Sequence, residues 1–305
     1  MMIAQSDLYR TGSGYEHDHY PWSAKPSRGP FPWPDGARIA FVVLLYFEYY
    51  ELDPPPGSIA DPRFQSVVGT HFPDIHTYTR RDYGNRIGIF RVLELLERHS
   101  IRATVCANSV ACARYPYVVE QCVEGRHAFA ARGLTARQMI TSRMNVEEEQ
   151  RFIHESLLGI ESATGRRPRG WAGQDSGESE RTPRLLAEAG LDHVIDWPND
   201  DQPYLMTVGS PLVSIPLQTE WDDAQLFIAR RVHAWDYPRL VADAFETLYR
   251  EGSSIFVMGI HPWVFGQSHR IRYLEEALGL IGHRKGVWQA TSDEVAEWTL
   301  KTLGD

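Results

Sequence analysis

Hydrophobic positions along this chain come as short unbroken runs separated by amphipathic stretches. The sharpest run is 38–53, R-I-A-F-V-V-L-L-Y-F-E-Y-Y-E-L-D, followed by Pro54-Pro55-Pro56-Gly57. A run that is apolar at nearly every position and ends in turn residues predicts a strand buried on both faces, as in a parallel sheet. The run 254–260, S-I-F-V-M-G-I, predicts a second such strand. Shorter runs at 101–107, 128–131, 169–173, 192–196, 212–217 and 287–290 predict the remaining strands. Between them, apolar residues recur at helical spacing in 85–99, 116–124, 145–164, 182–189, 237–251, 269–281 and 292–300. Gly190 and Gly252 supply helix stops, and Ser292 an N-cap.

About seven or eight strand–helix alternations with no break in composition predict an α/β fold, a distorted (β/α) barrel over residues 37–305. A doubly wound open sheet ranks second, because neither G-x-G-x-x-G nor a Walker motif is present. Residues 1–36 follow neither period and are rich in Pro, Gly and aromatic residues. They read as an extended arm laid over the domain, with Trp22, Phe31 and Trp33 as anchors. The stretch 52–82 reads as a long, ordered functional loop.

Composition narrows the partners. A net charge of −9 argues against nucleic acid or an anionic membrane, leaving a small molecule as the expected partner. Three cysteines without a C-x-x-C favour buried thiols in a reducing compartment. No secretory h-region and no transmembrane-length apolar window are seen, so a cytoplasmic protein is expected. The arm could equally reach a neighbouring subunit, so a homo-oligomer is a further expectation.

In a barrel, residues just past the strand ends share one mouth. The first strand delivers Glu48 and the third delivers Arg132. The fourth delivers Trp171, Gln174 and Asp175, and the fifth Asp196, Trp197 and Asn199. The run at 254–260 delivers His261 and Trp263. His261, fixed by Pro262, is the sharpest candidate for acid/base work; the bland alternative is a strand-end histidine bonded to backbone. Asp196 could orient it, hold polar groups of a substrate, or cap a loop. The tryptophans could wall a pocket or simply pack in the core. Arg86 could bind a substrate carboxylate or start a helix. There is no H-E-x-x-H, no Cys/His zinc cluster and no G-x-S-x-G.

These segments, in this order, resemble the polysaccharide deacetylase (NodB-like) superfamily, within it the allantoinase-like and cyclic-imidase-like branch. The carriers are W-P-D-G-A-R-I-A-F with Glu48, R-D-Y-G-N-R-I-G-I-F-R at 81–91, F-A-A-R-G-L-T-A at 129–136 and R-R-P-R-G-W at 166–171. G-Q-D-S-G-E-S-E-R-T at 173–182, D-W-P-N-D-D-Q-P-Y at 196–204 and H-P-W-V-F-G-Q-S-H-R at 261–270 complete them. The match spans about Trp33 to Trp298. The resemblance implies a distorted barrel that hydrolyses non-peptide C–N bonds, with His261 as the late catalytic histidine. It also implies pocket residues in the R-P-R-G-W and D-W-P-N-D segments. In metal-using relatives the first-strand acid and two histidines hold a divalent ion, usually zinc.

Here the pattern departs. Where relatives read roughly G-H-E-F-A-A-H-G, this chain has R-H-A-F-A-A-R-G, with Arg132 at the ligand histidine and Ala136 at the second. The expectation is therefore an enzyme without a bound divalent metal, in which Arg132 replaces the cation and pairs bidentately with Glu48. That pairing would depress the pKa of Glu48. Glu48 and His261 are the expected acid/base pair. Arg86, Arg132, Trp171, Gln174, Asp175, Asp196, Trp197, Asn199 and Trp263 are the expected pocket. The substrate class is a small amide, ureide or cyclic imide. The alternatives are a diverged family member that binds ligand or runs another reaction, and a metal enzyme using ligands such as His71 or His76.

Overall fold

The computed structural model describes residues 17–58 and 73–304. In chain order the first half comprises β1 (Ile39–Phe47), α1 (Ile75–Tyr83), α2 (Ile89–Arg98), β2 (Thr104–Ala107), α3 (Ser109–Arg114), α4 (Pro116–Glu124), β3 (Ala128–Ala131) and α5 (Val146–Thr164). Then come β4 (Gly170–Trp171), α6 (Thr182–Glu188), β5 (His193–Val194), β6 (Tyr204–Met206) and β7 (Leu212–Ser214). The chain closes with α7 (Tyr237–Glu251), β8 (Ser254–Ile260), α8 (Pro262–Phe265), α9 (Ile271–Ile281), β9 (Val287–Ala290) and α10 (Ser292–Leu303).

The strands form one curled half-barrel sheet in the order β6-β7-β5-β4-β3-β2-β1-β8, parallel except for β6 against β7. β1 lies at its centre. One edge of β1 pairs with β8 along most of its length. The other pairs with β9 through residues 39–42 and with β2 through residues 44–47. All nine residues of β1 are buried. Ile39, Phe41, Val43, Leu45 and Phe47 belong to the core against the helices, while Ala40, Val42, Leu44 and Tyr46 line the inside of the curl. Burial on both faces is why the run is apolar throughout.

The curl is completed at β8 by side chains instead of a strand. The indoles of Trp33 and Trp221 donate to the carbonyls of Ser254 and Val257 at 3.0 and 2.8 Å, and Ile255 N–H donates to Asp201 O at 2.8 Å. Trp33 and Phe31 are buried, and the arm from residue 17 onward packs on its own chain. Arg28 pairs with Asp200 at 2.6 Å, Lys25 pairs with Asp201 and Glu251, and Thr207 N–H donates to His19 O at 2.7 Å.

The 52–82 stretch is corrected in its second part: α1 occupies 75–83, with Asp74 accepting from Thr77 N–H as N-cap. Its face is largely polar, so the apolar period that marks α2 is missing. A π-helical stretch at 84–88 joins the two. Glycine is required there, because a Cβ on Gly88 would sit 2.2 Å from Pro262 O, and one on Gly84 2.7 Å from Trp263 N. Residues 59–72, which include His71, lie outside the described residues, as does the start of the arm. The short α3, α8 and β6 were also not expected; six, four and three residues are too few to show a period.

Candidate active site

The inner face of the curl sets the parity of the site. Tyr46, Ala130 and Ala172 point inward, and two residues further on stand Glu48, Arg132 and Gln174. On β8 the inward Ile255 and Val257 lead by the same step through Gly259 to His261. A strand's period of two carries each side chain over the same mouth. These four, with Tyr46, Arg81, Asp175, Ser176, Leu217, Thr219, Asp222, Ala224 and Gln225, line a cavity of about 90 Å³.

Glu48 is 8% exposed and surrounded by donors. Arg81 Nη1 donates to Oε2 at 2.9 Å; Arg132 Nε and Gln174 Nε2 donate to Oε1, each at 3.1 Å. Burial pushes this carboxyl up, but Arg132, His261, Arg81 and the Gln174 hydrogen bond outweigh it and hold it at about 2. The expected pairing with Arg132 is present with one correction: it is not bidentate. Arg132 Nη1 turns away to the carbonyls of Ala172 (3.3 Å) and Gly173 (3.0 Å), because β4 ends within its reach. Its guanidinium lies over the Tyr46 ring, 4.3 Å from the centroid. The second cation on Glu48, Arg81, was missed. It sits in R-R-D-Y-G, inside what read as a loop, and it stacks on Trp263 at 4.1 Å.

His261 is oriented by Asp223, not by Asp196. Its Nδ1–H donates to Asp223 Oδ1 at 2.6 Å and its backbone N–H to Oδ2 at 2.8 Å. Burial disfavours the imidazolium, but Asp223, Asp222 and Glu48 overcome it, and the pKa is raised. Asp222, beside it, is pushed up to about 6 by burial, with His261 opposing and Asp223 adding. The sequence signal was the acid pair in T-E-W-D-D-A-Q, which follows no recognisable strand.

Asp196 lies one layer out. Both of its oxygens accept Gly173 N–H, at 2.8 and 3.0 Å. It shares a hydrogen bond with Glu178, whose Oε1 accepts from Trp197 Nε1 at 3.2 Å. Burial pushes Asp196 up to about 6 against the Gly173 N–H, Glu178 and Arg132, and raises Glu178 well above its usual range. The pair therefore holds a proton where Glu48 holds none.

Other expected pocket residues are not brought to the cavity. Trp171 is core, on the helix-facing side of the sheet. Arg86 is 74% exposed and faces Asp82 at 3.7 Å, since it sits on the outer side of the π-helical stretch. Asn199 accepts from Tyr204 Oη at 3.0 Å and lines a different cavity, beneath the arm. Trp197 is covered by Tyr20, 5.7 Å between ring centroids. Trp263 lines a small recess beside Glu48 and Arg81.

Whether a divalent ion fits can be judged from the donors. Glu48 is met by two guanidiniums and an amide N–H, all of which repel a cation. Among the described residues, Asp222, Asp223 and His261 form the one group of ligating side chains within reach of a common ion. There, His261 occupies both oxygens of Asp223, and the backbone N–H groups of Ala224 and Gln225 occupy Asp222 Oδ1. That leaves one carboxylate oxygen and the His261 Nε2, fewer protein ligands than a divalent ion takes. The residues present do not fit the ion.

Residues 75–194 match the polysaccharide deacetylase family model. Over 310 residues the chain is 26% identical to a Schizosaccharomyces pombe protein provisionally named a polysaccharide deacetylase, covering 88% of this chain and 93% of that protein. The fold superposes on a crystal structure from Pseudomonas aeruginosa PAO1 that carries the same provisional name. The TM-score is 0.82 at 24% identity, over 94% of this chain and 100% of that one. It also superposes on a Puue allantoinase, with TM-score 0.81 at 24% identity, over 94% and 99%. The expected curled barrel is the fold observed. No helix among the described residues is long and apolar enough to cross a membrane.

Proposed function

Because the chain carries a polysaccharide deacetylase domain of the NodB-like type, we propose that it is a hydrolase of a non-peptide C–N bond in a small amide, ureide or cyclic imide, working without a divalent ion. The observation that carries this reading is the set of unsatisfied groups at one small cavity. Arg132 Nη2 and His261 Nε2 have no acceptor among the described residues, and the buried Gln174 Oε1 has no donor. Two donors and one acceptor match an amide unit, which offers a carbonyl oxygen and an N–H. A cavity of about 90 Å³ holds the reacting group and little more.

The roles follow from the ionisation states. Glu48, held at about 2, takes up a proton poorly, so its part is to anchor Arg81 and Arg132. Asp222, at about 6, is poised to act as base near neutrality. In the proposed step Asp222 removes a proton from water as the oxygen attacks the carbonyl carbon. The resulting oxyanion lies on Arg132, whose charge needs no reorganisation. His261, protonated and held by Asp223, gives its Nε2 proton to the leaving nitrogen as the C–N bond breaks. The proton on Asp222 then passes to His261, which returns the pair to its starting state and leaves a carboxylic acid together with an amine from an amide, an amide from an imide, or a urea nitrogen from a ureide.

The test is hydrolysis of allantoin, cyclic imides and N-acetyl amines by purified protein, with and without chelator. Activity that survives chelation and falls about 10²–10⁴-fold in His261→Ala supports the reading. Chelator-sensitive activity overturns it. A second reading, a diverged ligand-binding member of the family, is favoured by the full occupation of Glu48. It is supported if no compound turns over but a thermal shift detects binding.

A further inference from the structure

Arg86, expected to hold a substrate carboxylate, faces outward, but two other arginines beside the mouth have no acid to pair with. Arg80 precedes Arg81 on α1, and Arg270 stands immediately ahead of α9. Among the described residues the Arg80 side chain makes no hydrogen bond and no ion pair. Its guanidinium lies over the Trp263 ring, 5.1 Å from the centroid, and Arg81 lies over the same ring at 4.1 Å. The Arg270 guanidinium reaches the carbonyl of Val264 at 3.5 Å and the face of Phe227 at 5.3 Å, and meets no carboxylate.

Both arginines are half-buried. Elsewhere in the chain partly or fully buried arginines are matched: Arg28 with Asp200, Arg181 with Glu149, and Arg132 with Glu48. Around Arg80 the charges add instead of cancelling. Burial disfavours its guanidinium, and the positive charges of Arg270 and Arg81 lower its pKa further. Burial also lowers Arg270, opposed only by Asp223. Both oxygens of Asp223 are already bonded by His261, and Glu48 is already bonded by Arg81, Arg132 and Gln174. Two cations with no anion of their own favour one from outside, and the planar fork of a guanidinium matches a carboxylate best.

We propose that Arg80 and Arg270 hold a carboxylate of the substrate, which is therefore an N-acylated or N-carbamoylated amino acid and not a neutral amide. Trp263 links this subsite to the reacting groups. Its ring carries Arg80 at 5.1 Å and meets the His261 ring edge-on, 6.0 Å between centroids. Arg80 and His261 are thus no further apart than those two distances laid end to end. A short carbon chain crossing the indole can join a carboxylate on Arg80 to a C–N bond at His261. The position of that bond rests on the hydrolase reading of the mouth; the carboxylate subsite does not.

The experiment is calorimetric titration of the full-length protein carrying His261→Ala, which keeps ligands from turning over. The probes are N-acetylglycine, N-acetyl-β-alanine and N-acetyl-4-aminobutyrate, each paired with its neutral primary amide. At least one acid is expected to bind about tenfold or more tightly than its own amide. Arg80→Gln and Arg270→Gln, each added to His261→Ala, bring that ratio close to one and leave the amide's affinity as it was. If a glutamine variant does not fold, Arg80→Lys decides. It keeps the charge but loses the fork, so the preference falls; an unchanged preference overturns the proposal. Equal affinity for acid and amide also overturns it, as does the absence of binding by all six probes. So does a preference that survives both glutamine variants, which would put the carboxylate on Arg81 or Arg132. Selective binding of the acid without hydrolysis by the unsubstituted protein supports the subsite and overturns the hydrolase reading alone.

Discussion

Two buried acidic centres lie either side of one glycine, and they ionise in opposite directions. Glu48 and Asp196 are buried almost equally, at 8% and 6% exposure. Glu48 is held at about 2 and Asp196 is raised to about 6. Burial acts on both in the same sense, so it cannot be the cause of the difference. What differs is the partner: two guanidiniums touch Glu48, whereas Asp196 meets a second carboxyl and one backbone N–H. Gly173 connects them, giving its N–H to Asp196 and its carbonyl to Arg132. A proton on one side and a guanidinium on the other thus hold the same loop, from which Gln174 reaches Glu48.

The contrast breaks most severely if Arg132 is removed. Arg132→Ala leaves Glu48 with one guanidinium, Arg81, beside the Gln174 amide, and the Gly173 carbonyl without its Arg132 donor. A loss of about 3–5 kcal/mol is expected in urea unfolding, and the carboxyl of Glu48 should titrate higher. Next is Glu48→Gln, where two guanidiniums face an amide. A loss of about 2 kcal/mol is expected by the same measurement, since an oxygen acceptor remains.

The third perturbation reads the signs directly in melting temperature against pH. Asp196 has a folded pKa raised from 3.8 to about 6. Its contribution is full below 3.8 and is lost as pH rises through about 6. Glu48 does the reverse: its contribution is present above 4.5 and is lost as pH falls toward about 2. Asp196→Asn removes the acid of the pair that titrates in this range. The decline in melting temperature between 3.8 and 6 should flatten, with the limb below 4.5 unchanged; an unaltered decline would show that the pair does not carry it. The smallest effect is the control. Arg86→Ala, at an exposed position, should change stability by less than about 0.5 kcal/mol and leave substrate affinity as it was.

Much of the mouth was legible because strand parity is simple. An apolar run that ends in a polar residue reports which side chain crosses the rim, and Glu48, Arg132, Gln174 and His261 were all found in this way. Parity fails once the strand stops. Asp196 was left between orienting His261, holding substrate and capping a loop; β5 is two residues long, and the acid turns back to cap Gly173 N–H. Arg81 and the Asp222–Asp223 pair sit on α1 and in a connection, where no period ties a residue to the rim. Trp171 was misplaced by one step, and one step sends a side chain to the other face. The charge pattern also gave the sign of the Glu48 shift, though not the arrangement, because the carbonyls that divide Arg132 between two tasks belong to backbone that sequence does not place.

The contact of α1 and the π-helical stretch with α8 acts as a gauge. Gly84 and Gly88 let backbone meet backbone beside Pro262 and Trp263, with no room for a methyl group. Arg81 is one helical turn before Gly84, and His261 is one residue before Pro262. The main chains that carry an arginine on one element and a histidine on another are therefore spaced by direct backbone contact. The Arg81 guanidinium is held in turn by Glu48 and by the face of Trp263, so a change in the packing of the two elements would be passed to the mouth through both the arginine and the histidine.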